Sequence, residues 1–108
     1  MSRRRATSDV FAAIADPTRR GLLDLLGRGD RTVLALAAHF AMTLSAVSQH
    51  LRRLREAGLV GVRKLGRERV YRLNPAPLKA VADWVAFYER FWDEKLDALG
   101  RHLDEGEP

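Results

Sequence analysis

Residues 43–58 read Thr-Leu-Ser-Ala-Val-Ser-Gln-His-Leu-Arg-Arg-Leu-Arg-Glu-Ala-Gly. Their apolar members recur in steps of three, four and three, which is the spacing of one buried stripe on a helix: Leu44, Val47, Leu51 and Leu54. Thr43 has the side chain of a helix N-cap, and Gly58 is the residue type that most often follows a helix end. The stretch therefore predicts a helix from Leu44 to Ala57 with one apolar and one polar face.

The polar face of this helix changes character along its length. Small and amide side chains occupy the first half, and arginines occupy the second half. A helix in the major groove of DNA needs this order, because short hydrogen-bonding side chains meet base edges and cations meet phosphates. The residues expected to contact DNA from this helix are Thr43, Ser45, Ala46, Ser48, Gln49, His50, Arg52 and Arg53. A solvated face without a binding function would explain this helix equally well. The choice between the two interpretations therefore depends on the neighbouring segments.

Three shorter helices are predicted before this one. The first follows Ser8, the second begins at Asp16 and Pro17, and the third is capped by Thr32. Only a short break around residues 41–42 separates the third helix from the fourth. Two helices joined by so tight a turn have the layout of a helix-turn-helix.

The hydrophobic period changes after the fourth helix. Residues 59–65 and 69–73 are typical of two strands of a hairpin, with residues 66–68 as the turn. The residues expected to contact DNA from this hairpin are Arg63, Lys64, Arg67 and Arg69. An arginine at the tip can reach a minor groove or its flanking phosphates. Basic residues also protect an exposed strand edge from aggregation, and both explanations can hold together.

A long final helix is predicted from Asn74 and the prolines that follow it to about Leu103. The predicted fold is therefore mainly α with a small two-stranded β-wing, in the order α-α-α-α-β-β-α, which is a winged helix-turn-helix. We assign residues 1–7 to a disordered basic arm and residues 8–103 to one domain for DNA binding and dimerisation. Residues 104–108 form an acidic tail.

The final helix carries more apolar side chains than its own domain can cover. One row steps by three or four residues throughout, and five of the eight aromatic residues fall between positions 84 and 92. The residues expected at a dimer interface are Phe11, Leu78, Val81, Val85, Tyr88, Trp92, Leu96 and Leu99. A second row contains Trp84, Phe87 and Phe91, and the pattern does not show which row faces the partner. The alternative is a pocket for a small aromatic or apolar ligand between the terminal helices.

The net charge of +5 is unevenly distributed. Residues 1–72 carry fifteen Lys and Arg against six Asp and Glu, whereas residues 73–108 carry four against eight. The excess of positive charge in residues 1–72 favours a polyanionic partner, and the excess of negative charge in residues 73–108 indicates a different function for that segment.

Composition excludes several classes of protein. No apolar run approaches the length of a membrane span, and no secretory h-region follows the basic start, so we expect a cytoplasmic protein that reaches the nucleoid with DNA and makes no membrane contact. The chain has no cysteine, which excludes disulfides and thiolate metal sites. It also shows no cluster of acid, base and nucleophile and no phosphate-binding glycine loop, so we expect no enzymatic activity.

Three sets of residues together resemble the ArsR-type family of bacterial winged-helix repressors, over about residues 8–103. Asp16-Pro17-Thr18-Arg19-Arg20 looks like the family's second-helix start, and residues 45–60 look like its recognition-helix signature. Gly66-Arg67 and Val70-Tyr71-Arg72-Leu73 match its wing. The resemblance implies a winged helix-turn-helix fold and a repressor's function.

Metal sensing, which many members of that family perform, is not expected here. The thiolate pair of some members has no counterpart without cysteine. Others place Asp, His, His and Glu on the last helix, but Asp83 is followed two positions later by Val85 where that pattern has His. The aromatic last helix resembles a metal-independent branch whose members are often autorepressors. We therefore expect no cofactor and no metal.

These features together predict a sequence-specific DNA-binding regulator, a homodimeric repressor that occludes a pseudo-palindromic double-stranded operator. The alternatives are an architectural DNA-binding protein without sequence preference and a repressor that senses an apolar ligand.

Overall fold

A computed structural model describes the backbone of residues 9–106 and the side chains of residues 9–93. The predicted arm at residues 1–7 and the cap at Ser8 lie outside the described residues, as do the side chains of Leu96 and Leu99. The elements are α1 (residues 9–14), α2 (Pro17–Leu26), β1 (Arg31–Thr32), α3 (Val33–Ala37), α4 (Leu44–Glu56), β2 (Val60–Leu65), β3 (Glu68–Leu73), a 3₁₀ turn (Ala76–Leu78) and α5 (Lys79–Gly106). This is a winged helix-turn-helix, as predicted.

The sheet has three strands rather than the predicted two. The two-residue strand β1 pairs antiparallel with β3, so that the strand order is β1-β3-β2. A strand of two residues has no hydrophobic period, which is why the sequence pattern indicated only a helix cap at Thr32. The hairpin turn is also shorter than predicted: Leu65 pairs with Glu68, which leaves Gly66 and Arg67 as the turn. Gly66 has a φ of 63°, the positive value that a first turn residue of type II′ needs.

Side-chain caps begin α2, α3 and α4, as the sequence predicts. The side chain of Asp16 accepts a hydrogen bond from the backbone N–H of Arg19 at 3.0 Å. The hydroxyl oxygens of Thr32 and Thr43 accept the corresponding bonds, at 3.2 and 3.1 Å, from the residues three positions further on. Each cap satisfies one of the N–H groups that a helix start leaves without a partner.

The core lies between α1–α4 and the inner face of the sheet. Three members of the predicted stripe on α4, Val47, Leu51 and Leu54, are completely buried. Burial of each such side chain contributes roughly 1.5–3 kcal/mol. Leu44, by contrast, is 45% exposed, so its assignment to the buried stripe was wrong. Leu44 lies in the first turn of α4, between the exposed residues Thr43 and Ser45.

The end of α4 is a Schellman motif built on Gly58. The N–H of Gly58 donates to the carbonyl of Arg55 at 2.9 Å, and the N–H of Leu59 donates to the carbonyl of Leu54 at 3.0 Å. Gly58 has a φ of 78°, and Leu54 and Leu59 are both fully buried. This reversal sends the chain directly into β2 and so fixes the wing relative to α4.

We expect Gly58→Ala to lower the free energy of unfolding by about 1–2 kcal/mol, because a Cβ atom is strained at positive φ. Urea unfolding of the two proteins measures the difference. Gly61→Ala is the matched control: Gly61 has no positive φ, and a Cβ there would meet nothing within 4 Å. Equal losses in the two variants would contradict the role of the backbone conformation at Gly58.

The last helix is longer than predicted and continues through Gly106 instead of ending near Leu103. Asp104 and Glu105 do not interrupt a helix, so part of the predicted acidic tail is helical, while residues 107–108 are outside the described chain. Among the described helices, none is long and apolar enough to cross a membrane.

Candidate nucleic-acid interface

The solvent face of α4 presents the predicted DNA-contacting side chains together. Ser45, Ser48, Gln49 and Arg53 are exposed, whereas Ala46 is partly covered. Arg52 is 81% exposed and pairs with Glu56 one turn later at 3.4 Å. An exposed pair of this kind is weak, so its arginine stays available to a stronger anion. The face therefore offers hydroxyl and amide groups first and guanidinium groups afterwards.

His50 differs from the other predicted contacts because it is half-buried against α2. Its Nδ1 atom lies 3.2 Å from Nη1 of Arg19. Since a guanidinium only donates hydrogen bonds, Nδ1 of His50 accepts this one, and the ring proton is assigned to Nε2. One edge of the imidazole thus faces Arg19 of α2.

Arg19 joins three helices, a role that the sequence analysis missed. Its Nε donates to the carbonyl of Ala13 at 2.7 Å, and its Nη2 donates to the carbonyl of Ala12 at 3.2 Å. These are carbonyl groups at the end of α1. Together with the contact to His50, they tie α1, α2 and α4 to one side chain. The motif at residues 16–20 marks the position, but no local pattern connects Arg19 with a residue 31 positions away.

The carboxyl group of Asp16 has a pKa below its ordinary value of 3.8. The main cause is the hydrogen bond from the backbone N–H of Arg19, and the positive charge of Arg19 adds to it, while slight burial opposes it. The ionised form is therefore favoured in the folded protein.

We expect the contribution of the Asp16 charge to stability to disappear in acid. Because its pKa is lower in the folded chain than in the unfolded chain, this contribution is complete well above pH 3.8 and is lost as the pH falls through the folded value. Asn is an equally good cap without the charge. The difference in unfolding free energy between wild type and Asp16→Asn, measured in urea, should therefore shrink below pH 3.8. A difference that stays constant into stronger acid would contradict this assignment.

The register of the wing separates its cations into two faces. Lys64 is directly opposite Arg69, and residues opposite each other in antiparallel strands project to the same side. This is the side on which Val62 and Tyr71 meet the core, so the pair continues the inner face beyond the core. Like charges opposite each other are destabilising unless an anion lies between them. We call Lys64 and Arg69 the inner pair.

Arg63 lies on the outer face of the wing, away from the inner pair. Its Nη2 atom is 3.8 Å from a carboxylate oxygen of Asp30, and Nε of Arg72 is 3.8 Å from the same oxygen. The four predicted wing contacts are therefore not brought to one surface. Lys64 and Arg69 share the inner face, Arg67 is exposed in the turn, and Arg63 is held on the other side.

A cleft of about 350 Å³ separates the wing from the helix-turn-helix. Residues 67–69 and Tyr71 line it from the wing, with Glu68 between the two arginines; Ser48 lines it from α4, and residues 32–34 line it from the start of α3. The cleft thus brings wing cations and a hydroxyl group of α4 to one concave surface.

A second exposed surface, the aromatic face of α5, consists of Trp84, Phe87, Tyr88, Phe91 and Trp92. Trp84, Phe87 and Trp92 are each more than half exposed. Exposed aromatic surface of this extent on one side of a helix is typical of an interaction site. The guanidinium of Arg90 lies 5.4 and 5.0 Å from the ring centroids of Phe87 and Phe91, which gives that edge of the face a polar rim.

Helix α1 is connected to this face. The rings of Phe11 and Trp84 meet edge-on with centroids 5.6 Å apart. Leu78 and Val81, which the sequence analysis assigned to a dimer interface, pack partly against the core of their own domain, and Val85 is half-buried. Tyr88 and Trp92 remain exposed.

The described residues contain no group of three or more His, Asp or Glu side chains that could hold a metal ion.

Comparison with known proteins shows the family to which the chain belongs. The sequence model of the family described as "Bacterial regulatory protein, arsR family" matches residues 16–62, from the cap of α2 into β2. The transcriptional repressor SdpR of Bacillus subtilis is 38% identical over 89 residues, which cover 82% of this chain and 99% of that repressor. The chain belongs to the arsR family of bacterial regulatory proteins.

Solved structures of proteins with similar sequences share the fold. An ArsR family transcriptional regulator, RHA00566, has a TM-score of 0.74 at 36% identity, over 83% of this chain and 93% of that chain. A winged helix-turn-helix domain from Mycobacterium bovis, described as homodimeric, has a TM-score of 0.64 at 32% identity, over 90% of this chain and 87% of that chain. The predictions of an ArsR-type DNA-binding transcriptional repressor and of a protein that is not an enzyme are confirmed by these relationships.

Proposed function

We propose that the protein is a homodimeric repressor that reads a pseudo-palindromic operator with α4 and the wing, blocks the promoter by occupying it, and does not use a metal. The observation that carries the proposal is one cleft that Ser48 of α4 and the wing cations Arg67 and Arg69 line together, next to the exposed polar face of α4. The hydroxyl and guanidinium groups at the cleft, together with the exposed amide of Gln49 on α4, match the donors and acceptors of base edges and phosphates.

Within this interface, Gln49 is the best candidate for reading a base. It is exposed on the second turn of α4, and an amide forms two hydrogen bonds with adenine in the major groove. Ser45 and Ser48 suit either a base or a phosphate, and the short Ala46 lets the backbone approach. Arg52, Arg53 and the cap residue Thr43 suit phosphates, which set the position of the helix.

Dimerisation would occur through the aromatic face of α5. Its exposed rings exceed what a domain of this size normally leaves in water. The homodimeric relative from Mycobacterium bovis supports self-association. A two-fold dimer presents two copies of α4, which is the arrangement that a palindromic site requires.

The proposal of metal independence rests on the residues available. The chain has no cysteine for a thiolate site. A first-row metal site needs three or four converging ligands, and the described residues offer no such group.

We expect Gln49→Ala to lose about 1–3 kcal/mol of binding free energy at the operator and almost none on random DNA. The operator probe is the tightest duplex recovered when the wild-type protein selects from a random-sequence library. Titration of that duplex and of a scrambled duplex of the same length measures both affinities at one salt concentration.

The scrambled duplex controls for the general attraction to phosphates. Equal losses on the two duplexes would contradict base reading by Gln49. If the selection enriched no sequence at all, the protein would be an architectural DNA-binding protein instead.

A further inference from the structure

We propose that Arg19 and His50 are a positioning pair for DNA recognition: Arg19 fixes the rotation of α4 about its axis by holding His50 against the end of α1. The inference rests on the proposed function, because it concerns how the reading face of α4 is aimed. His50 lies on α4 directly after Gln49, so a hydrogen bond at His50 constrains the direction in which Gln49 projects.

The geometry of Arg19 suits this role better than contact with DNA. Three of its nitrogen atoms face protein acceptors, on Ala12, Ala13 and His50, at 3.2, 2.7 and 3.2 Å. The fixed fork of a guanidinium can satisfy acceptors on two helices at once and so set their relative orientation. The side chain is half-buried, and these acceptors engage its nitrogen atoms within the protein.

The helices that Arg19 joins are themselves held in place by further contacts. The carboxylate of Asp16 fixes the start of α2 by accepting the N–H of Arg19, and α1 is seated on α5 through the ring contact of Phe11 with Trp84. Side chains that read a ligand need supporting groups of this kind, because a small rotation of α4 would misdirect its hydrogen bonds. In this proposal, His50 holds Gln49 in the orientation that base reading requires, without contacting the DNA itself.

A double-mutant cycle on operator and scrambled duplexes tests the pair. The probes are the selected duplex and its scrambled counterpart, and the measured quantity is the ratio of the two affinities. We expect Arg19→Gln and His50→Leu each to lower this ratio about tenfold, and the double variant to lower it no further. His50→Asn, whose side-chain oxygen replaces the acceptor at Nδ1, should keep a ratio close to that of the wild type.

The salt dependence on scrambled DNA separates positioning from phosphate contact. A lost phosphate contact would reduce the slope of log affinity against log salt by about one, whereas a positioning residue leaves this slope unchanged. Additive losses, an unchanged ratio or a reduced slope in Arg19→Gln would each overturn the inference. If Arg19→Gln does not fold, Arg19→Lys replaces it, since one ammonium group cannot span three acceptors on two helices. A wild-type protein without sequence preference would instead contradict the proposed function.

Discussion

Trp92→Glu is expected to convert the protein from a dimer into a folded monomer. Trp92 is 53% exposed in the single chain, so the substitution leaves the core intact while it introduces a charge into the proposed interface. A buried charge without a partner opposes association strongly. Sedimentation velocity measures the change in assembly, and circular dichroism checks that the helices remain.

The same variant is expected to lose operator affinity by about a hundredfold or more. In a dimer, the second half-site is bound with the advantage of a high effective concentration, and a monomer loses that advantage. Ala86→Glu is the matched control, because it introduces the same charge at an exposed position of the same helix. Ala86 is two residues from Tyr88, which is about 200° round the helix axis, so it lies on the side opposite the aromatic face. A dimeric Trp92→Glu protein, or a monomer with full operator affinity, would refute the dimeric interface proposed for α5.

Replacing both members of the inner pair is expected to lower affinity for any DNA by about a hundredfold in 0.1 M salt. When a cation contacts a phosphate, counterions are released, and each such contact adds about one to the slope of log affinity against log salt concentration. In 0.1 M salt, one contact therefore raises the affinity about tenfold. The double variant Lys64→Gln, Arg69→Gln should therefore also reduce the slope by about two. Titration of one scrambled duplex at several salt concentrations measures both effects.

The outer face of the wing supplies a control with the same change of charge. The double variant Arg63→Gln, Arg72→Gln removes two cations that already pair with Asp30 at 3.8 Å and that lie on the opposite side of the strands from the inner pair. The DNA affinity and the salt slope of this variant should fall much less than those of the inner-pair variant. Equal effects of the two double variants would show that only net charge matters and that the wing makes no contact through a particular face.

Local chemistry explains which parts of the fold were predictable. The caps Asp16, Thr32 and Thr43 and the ending at Gly58 act on backbone groups within a few residues, so they are visible in the sequence and are confirmed. The buried positions on α4 follow from helical period. The exposure of Leu44 does not follow from this period, because it depends on which other parts of the domain pack against the first turn of α4.

The features that the sequence did not predict depend on register or on distant contacts. A three-residue turn at 66–68 would set Lys64 opposite Val70, whereas the two-residue turn sets it opposite Arg69. One residue of difference therefore changes which cations share a face. The hydrogen bond of Arg19 to His50 joins segments that only the tertiary structure brings together, and β1 exists because β3 offers it a free edge.

The inner pair also affects how the wing behaves before DNA arrives. Lys64 and Arg69 repel each other across their strands, so the tip of the hairpin is held less firmly than its base, where Val60 and Tyr71 are buried. A phosphate between the two cations removes the repulsion and favours the paired strands. In the proposed complex, part of the attraction to the duplex would therefore stiffen a hairpin whose strands are already paired as far as Leu65 and Glu68.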